Sequence, residues 1–272
     1  MPISKEIRLN NNTYDEKKSL KSIITTTVLM LFTTTVMAQG ISDSLSYKTS
    51  ISLGGNRRTG LNAQNNFTGA FNLKLNKSSW GFVNISDYAY AEANGKELTN
   101  DIKTISFVKK SFSEKKAIVP TFIHVFENSI LYKINNRQSV KLGVTITPLE
   151  KRKQFWFFVG LGYDHTVYDS EIFINSDKIG STRSFSISSV YLENEHKLIK
   201  DRLTLSYGLF YVQSLEEVRD FTLWFVPSLD IKISNTFAFS VKYDARFRNV
   251  HLVELQSFND ILTYSLKVSL SK

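Results

Sequence analysis

The chain has 272 residues and a formal net charge of +9, and it contains 42% hydrophobic residues, 20 Phe and 12 Tyr but no Cys. The absence of Cys excludes a disulfide-stapled domain, a Cys-ligated zinc site and a thiol nucleophile. The apolar content is too high for a disordered chain, and the length suits one large domain. The basic excess alone is compatible with nucleic-acid binding, so its meaning depends on where the charges lie.

The N-terminal segment shows the order of features found in a secretory signal peptide. Three lysines between residues 17 and 21 precede an apolar run over residues 23–37, and Ala38 offers a cleavage point. The run of about 15 residues is shorter than the ~20 that a membrane-spanning helix needs. We therefore expect residues 1–38 to be a signal peptide and residues 39–272 to be the exported domain. An uncleaved membrane anchor is the alternative.

The exported domain is dominated by period-two alternation, which is typical of strands whose two faces differ. Val140, Leu142 and Val144 share one face of such a segment, whereas Lys141 and Gly143 share the other. The same pattern recurs along the chain and predicts twelve strands. They lie near 44–54, 63–75, 80–91, 99–111, 118–129, 137–148, 154–166, 182–193, 202–213, 221–233, 236–247 and 260–271. The spacing of Leu, His and Ile within Val190–Lys200 also permits a short helix.

The length and composition of these strands favour a membrane-spanning barrel over a soluble β-sandwich. Soluble strands average about 5–6 residues, whereas strands that cross a membrane need ~9–11. A face so rich in Phe, Tyr and Leu is a liability in water but is required in lipid. Connections after even-numbered strands are short and several after odd-numbered strands are long, as in outer-membrane barrels. The prediction is an all-β fold, a single antiparallel transmembrane β-barrel of about twelve strands in the outer membrane. A secreted soluble β-protein is the alternative.

Basic side chains occur at two kinds of position in this predicted barrel. One group clusters in the short turns, and the other is predicted to face the lumen. The lumen-facing group comprises Lys48, Lys74, Lys242, Arg246 and Lys267, with Asp244 as the acid among them. A basic lumen wall would favour the passage of anions. The preferred alternative is that these residues pair with acids elsewhere, or that side chains fill the narrow lumen. We expect such an exported barrel to contact outer-membrane lipids and the barrel-assembly machinery, and not nucleic acid.

No arrangement of residues in the sequence indicates a catalytic or metal site. Barrel hydrolases that resemble outer-membrane phospholipase or lipid A deacylase carry His and Ser two residues apart, on one strand face. At that spacing, an apolar residue follows each of the four histidines, His124, His165, His196 and His251. Glu216, Glu217 and Asp220 are interpreted as solvated charges rather than cation ligands. We therefore expect an envelope structural role or the minor passage of solutes or anions, with no enzyme activity, no cofactor and no bound metal. A barrel enzyme acting on lipid or peptide, with its active-site residues dispersed over several strands, is the alternative.

Several segments resemble the salt-induced outer-membrane protein family, whose domain has no assigned function. Gly55–Asn62 is similar to the Gly- and Asn-rich opening segment of that family, and Asn94–Asp101 resembles its next loop. Phe107–Lys115 resembles the following strand and turn, and Gly160–Tyr163 resembles one of its Gly-rich strands. The resemblance covers most of residues 45–270. It implies an outer-membrane β-barrel and brings no agreed catalytic residues.

Overall fold

Antiparallel strands make up most of the chain that the structure describes. The computed structural model describes residues 45–57, 65–93, 96–112, 118–146, 155–200 and 202–271, so the predicted signal peptide lies outside the described residues. The strands are β1 (Leu45–Arg57), β2 (Asn65–Lys77), β3 (Trp80–Ala93), β4 (Lys96–Lys110), β5 (Ile118–Ser129), β6 (Ile134–Ile146), β7 (Trp156–Tyr168), β8 (Phe173–Ile174), β9 (Thr182–Ile199), β10 (Leu203–Ser214), β11 (Phe221–Lys232), β12 (Phe237–Arg248), β13 (His251–Leu252) and β14 (Phe258–Ser271). Twelve of them form a closed barrel, and β8 and β13 form a separate two-stranded sheet.

The last strand closes the barrel on the first. β14 pairs with β1 from Lys48 opposite Ser271 to Arg57 opposite Leu262. Around the ring the order is β1, β14, β12, β11, β10, β9, β7, β6, β5, β4, β3 and β2. A closed ring of antiparallel strands leaves no unpaired sheet edge and satisfies the backbone hydrogen bonds internally. Among the described residues, no helix is both long enough and apolar enough to cross a membrane.

All twelve predicted barrel strands are present, with limits that differ by a few residues from the predicted ones. The largest difference is in β9, which continues to Ile199. The short-helix alternative for Val190–Lys200 is therefore wrong, and most of the predicted turn over 194–201 is strand. The alternation pattern does not reveal β8 or β13, which have two residues each and lie inside connections.

The connections that the structure describes in full are on average shorter at one end of the barrel than at the other, whereas several of the predicted turns lie wholly or partly outside the described residues. Two long connections, 169–181 and 249–257, lie at the same end of the barrel, which we call the long-loop end. The connections over 130–133 and 215–220 lie at that end as well. At the opposite, short-turn end, the connections that the structure describes in full, 78–79 and 233–236, have two and four residues. The two longest described connections supply β8 and β13.

The two faces of the barrel wall are polar inside and apolar outside. On β6, the side chains of Val140 and Leu142 are 41% and 68% exposed, whereas Ser139 and Lys141 are 0% and 2% exposed. The same inversion holds on β7, where Leu161 is 62% exposed and Asp164 is 2% exposed. A soluble sandwich buries its apolar face, whereas a barrel in lipid turns that face outward. The described chain is therefore built as a membrane-embedded barrel.

One part of the barrel interior is filled by apolar side chains. Ile105, Phe107, Ile123, Phe158 and Tyr191 form a buried cluster inside the wall of β4, β5, β7 and β9. The rings of Phe158 and Tyr191 are 5.3 Å apart, and those of Tyr191 and Phe210 are 4.9 Å apart, which are ordinary distances for aromatic packing. This filling narrows the lumen beside β4, β5, β7 and β9.

Candidate functional site: the charged lumen

A cavity of about 340 Å³ lies inside the barrel beside the apolar cluster, of which Ile105 also lines the cavity. Its lining runs from Lys267 and Asp230, near the short-turn end, to Arg246, Glu127 and Tyr132, near the long-loop end. Small side chains such as those of Ser52, Ala70 and Ser265 keep the wall thin along β1, β2 and β14. The cavity is therefore elongated along the barrel and bordered by charged groups at both ends.

One ion pair crosses the lumen from wall to wall. Nη1 of Arg246 on β12 donates a hydrogen bond of 2.7 Å to Oε1 of Glu127 on β5. These two strands are six positions apart in either direction around the twelve-stranded ring, so they face each other. Both side chains are almost fully buried, at 6% and 4% exposed. The ring of Tyr132 lies 4.3 Å from Cζ of Arg246 and packs beside this ion pair.

A second contact joins opposite walls. Nζ of Lys103 on β4 lies 2.9 Å from the ring centroid of Trp224 on β11, and these strands are also six positions apart. Trp224 is fixed in turn because its Nε1 donates a hydrogen bond to Oδ1 of Asp244 on the neighbouring strand β12. An ammonium group over an indole ring is an attractive arrangement, and it is stronger where water is excluded. We call these two contacts, Arg246–Glu127 and Lys103–Trp224, the cross-lumen bridges.

Two further predicted lumen residues line the cavity in ion pairs. Nζ of Lys242 lies 3.2 Å from Asp87 on β3, and Nζ of Lys267 lies 2.9 Å from Asp230 on β11. Asp230 also accepts a hydrogen bond of 2.6 Å from the Ser240 hydroxyl. These pairs are about one quarter to one third exposed, so they are better hydrated than the Arg246–Glu127 pair.

The structure brings three of the five predicted lumen residues together and leaves two apart. Lys242, Arg246 and Lys267 line the cavity. Lys48 and Lys74 are exposed, at positions nearer the short-turn end of β1 and β2, on the same strand faces as Ser50 and Asn72. Asp244 is not the only acid of the lumen, because Asp87, Glu127, Asp230 and others line the cavity with it. The basic residues therefore form a paired set with these acids.

A network of arginines and carboxylates occupies the long-loop end of the interior. Arg137 bridges two acids, with its Nη2 2.8 Å from Asp164 and its Nη1 3.3 Å from Glu127. Nη2 of Arg183 lies 2.5 Å from Glu217 and 3.1 Å from Asp220. Burial raises the pKa of the Asp220 carboxyl above its usual value, although Arg183 beside it opposes the shift. Glu217 and Asp220, interpreted from sequence as solvated, are thus ion-pair partners of a buried arginine.

A small apolar cap covers part of the long-loop end. β8 and β13 pair through Phe173–Leu252 and Ile174–His251, and Phe173, Val250 and Leu252 form a buried cluster. Cζ of Arg183 lies 4.6 Å from the Phe173 ring, which joins the cap to the arginine network beneath it. The cap is held to a neighbouring connection by an ion pair between Lys133 and Glu254.

The four histidines do not converge on the lumen. His165 Nδ1 lies 2.7 Å from the Ser184 hydroxyl, and these two residues are opposite each other on β7 and β9. Since Asp164 and Thr166 on either side of His165 are buried inward, this His–Ser pair lies on the outer face. Within the described part of the chain, His165 forms no hydrogen bond or ion pair with a carboxylate that would orient it as a base. The remaining histidines contact Gln138, Asn194 and the backbone oxygen of Asn249.

Several residues of the site were not predicted from the sequence. Glu127 lies on β5, both faces of which are apolar in sequence, so its inward position carries no alternation signal. Lys103 and Trp224 lie on strands whose register across the ring is set by closure and not by local sequence. Asp87 lies on the inward face of β3, and Asp230 lies on the inward face of β11. Extending the alternation along those two strands would have predicted that both side chains face the lumen.

Solved structures with a similar fold are outer-membrane barrels. The NanC porin, in a rhombohedral crystal form, aligns with 81% of this chain and 98% of its own at 10% identity, with a TM-score of 0.50. The translocator domain of the autotransporter NalP from Neisseria meningitidis covers 93% of this chain and 97% of its own at 12% identity, with a TM-score of 0.41. The KdgM porin in complex with disordered oligogalacturonate covers 82% and 99% at 12% identity, with a TM-score of 0.40. No curated protein matches this chain in sequence.

The closed ring and the apolar outer face agree with this likeness in fold. Closed barrels with apolar outer faces and polar interiors are the form in which strands cross the outer membrane. The protein is thus an outer-membrane β-barrel. Residues 51–269 match one family profile, which spans nearly the whole described barrel. The chain belongs to the family described as protein of unknown function, DUF481.

Proposed function

We propose that this barrel is a narrow outer-membrane channel for small polar solutes. The observation that carries the proposal is the elongated cavity of about 340 Å³, which is bordered by ionised groups from end to end. Burying unpaired polar side chains in a closed wall is costly, whereas the same side chains are stable along a water-filled path. A barrel with a purely structural role would gain more from filling this space with apolar side chains, as it does around Phe158.

The lining favours small solutes without a strong preference for anions. Four cationic side chains line the cavity, namely Lys103, Lys242, Arg246 and Lys267. Six carboxylates line it as well, namely Asp87, Asp101, Glu127, Glu193, Asp230 and Asp244. Since three of the cations are already held in ion pairs, they are less available to attract anions than isolated cations would be. Since the carboxylates outnumber the cations by two, we expect a weak preference for cations, seen as a small reversal potential of that sign in a salt gradient.

The cross-lumen pair of Arg246 and Glu127 is the proposed constriction of this path. Its two side chains meet across the lumen near the long-loop end and exclude water from the contact, as their burial indicates. A solute has to displace this pair or pass beside it along the β1–β3 wall. Removing both charges together should widen the path without leaving one buried charge unpaired.

Single-channel recording in planar bilayers tests the proposal. The double variant Glu127→Gln with Arg246→Gln should conduct more than the wild-type barrel. The matched control is the double variant Asp230→Asn with Lys267→Gln. It also removes one ion pair, but this pair joins strands that are only two positions apart in the ring and does not cross the lumen. The control should change conductance less. The absence of any conductance in the wild type and in the Glu127 and Arg246 double variant would refute the channel and favour a closed structural barrel.

A further inference from the structure

A second, much smaller chamber lies beneath the cap at the long-loop end. Its volume is about 20 Å³, which is room for a single water molecule or monoatomic ion. The charged residues that line it are Arg137, Arg183, Arg248, Asp164 and Asp220. Val250 of the cap also lines it, so the chamber is roofed by the buried apolar cluster. The chamber is separate from the cavity proposed as the solute path.

Two of the three arginines carry donors with no acceptor among the described residues. In Arg183, Nη2 reaches Glu217 and Asp220, but Nε and Nη1 are buried without a partner. In Arg248, Nε and Nη2 are buried without a hydrogen bond, and the nearest carboxylate oxygen, on Glu127, is 3.8 Å from Nη2. Arg183 is 5% exposed and Arg248 is 9% exposed. Arg137 differs, because its Nε bonds Asp164 and its Nη1 bonds Glu127.

Such an arrangement calls for an acceptor inside the chamber. A guanidinium group keeps its charge in proteins, so it cannot relieve its burial by losing a proton. Leaving its donors unpaired away from water costs more than leaving a neutral group unpaired. Three guanidinium groups meet three carboxylates when Glu217, the partner of Arg183, is counted with the lining, yet four nitrogen atoms of Arg183 and Arg248 still lack an acceptor among the described residues. The acceptor that fits several converging donors of charged groups is a small anion.

We propose that a monoatomic anion of the size of chloride binds in this chamber between Arg183 and Arg248. A phosphate or a carboxylate-bearing solute is too large for the volume, and a single water molecule accepts at most two hydrogen bonds, which would leave other donors of the two arginines unpaired. The anion would join β9 to β12, directly below the cap. Because Arg183 also packs under Phe173, the bound anion would hold the cap against the barrel. This site does not depend on the proposed solute path, and either can fail without the other.

Thermal unfolding of the detergent-solubilised barrel in matched salts tests the site. Sodium chloride should raise the unfolding midpoint relative to sodium gluconate at equal ionic strength. Above the dissociation constant, the rise should be about 3–6 °C for each tenfold increase in chloride, because a ligand that binds only the folded state stabilises it logarithmically. Arg248→Met should abolish the chloride effect. The control is Lys178→Met, which removes a cation that is 54% exposed in the 169–181 connection. This variant should keep the chloride effect.

Bromide provides a readout that does not depend on the variants folding. Crystals of the wild-type barrel grown in bromide should show an anomalous peak between the guanidinium groups of Arg183 and Arg248. A midpoint that responds equally to chloride and gluconate, together with no anomalous peak in the chamber, would overturn the proposal. That result would mean that the donors are satisfied by water alone.

Discussion

The stability of the barrel should depend strongly on Glu127. Three arginines surround this carboxylate, with Arg246 at 2.7 Å, Arg137 at 3.3 Å and Arg248 at 3.8 Å. The substitution Glu127→Gln keeps the shape of the side chain but removes the charge that the three guanidinium groups share. Arg137 retains Asp164 as a partner, whereas Arg246 loses its only ion pair among the described residues.

The expected loss follows from the burial of the pair. Removing one partner of a buried ion pair typically costs about 3–5 kcal/mol, because the other charge stays buried without compensation. Asp230→Asn is the matched control, since Asp230 also pairs with one cation but the pair is about one quarter exposed. Ion pairs that remain in contact with water contribute roughly 0–1 kcal/mol. The loss at Glu127 should therefore be at least about three times the loss at Asp230.

Guanidinium titration of the barrel in detergent micelles measures both losses. The free energy of unfolding is extrapolated to zero denaturant for the wild type and for each variant. Adding Arg246→Gln to Glu127→Gln should recover part of the loss, because the unpaired charge is then gone. Equal losses for Glu127→Gln and Asp230→Asn, or no recovery in the double variant, would refute the view that burial sets the energy of the bridge.

Two further predictions concern strand packing and the cap. Gly143→Ala should reduce the yield of the heat-modifiable folded form in refolding gels, because the added Cβ would lie 2.1 Å from the Val159 carbonyl oxygen. Gly69→Ala is its control, with the nearest atom 3.9 Å away, and equal yields would contradict the steric argument. Leu252→Ala should expose the 249–257 connection to limited proteolysis, because Leu252 is 1% exposed and its truncation costs about 2–5 kcal/mol. Val253→Ala, at a side chain 50% exposed, should leave the cleavage rate unchanged; faster cleavage in both would place the cap's stability elsewhere.

The barrel could be predicted from sequence because its wall has two different faces. Over residues 139–146 of β6 and 159–164 of β7, each outward residue is large and apolar and each inward residue is small or polar, so the alternation is visible in the sequence. On β5 the inward residues Ile123 and Val125 belong to the apolar cluster that fills the lumen. Both faces of that strand are therefore apolar, and the inward position of Glu127 is hidden. Local alternation therefore identifies the inward face of a strand only where the interior stays polar, although β5 itself is predicted with its observed limits.

The pairing of the lumen charges could not be predicted in the same way. Inward-facing Lys242, Arg246 and Lys267 follow from alternation, but their partners do not. Arg246 and Glu127 are 119 residues apart, and Lys242 and Asp87 are 155 residues apart. Which acid meets which base depends on the number of strands and on the register of every pair around the ring. A single sequence indicates which face of the sheet each residue occupies. It does not indicate which residues of opposite strands lie at the same level along the barrel axis.

The cross-lumen bridges have a consequence for how long the folded barrel lasts. Arg246 can reach Glu127, and Lys103 can reach Trp224, only when opposite walls face each other across a closed ring. Such contacts cannot assist the early steps in which neighbouring strands pair. Interactions that are absent from the folding transition state slow unfolding without accelerating folding. The cross-lumen bridges should therefore slow the unfolding of the barrel. The lifetime of the folded state in the membrane then depends on contacts that form last during folding and break first during unfolding.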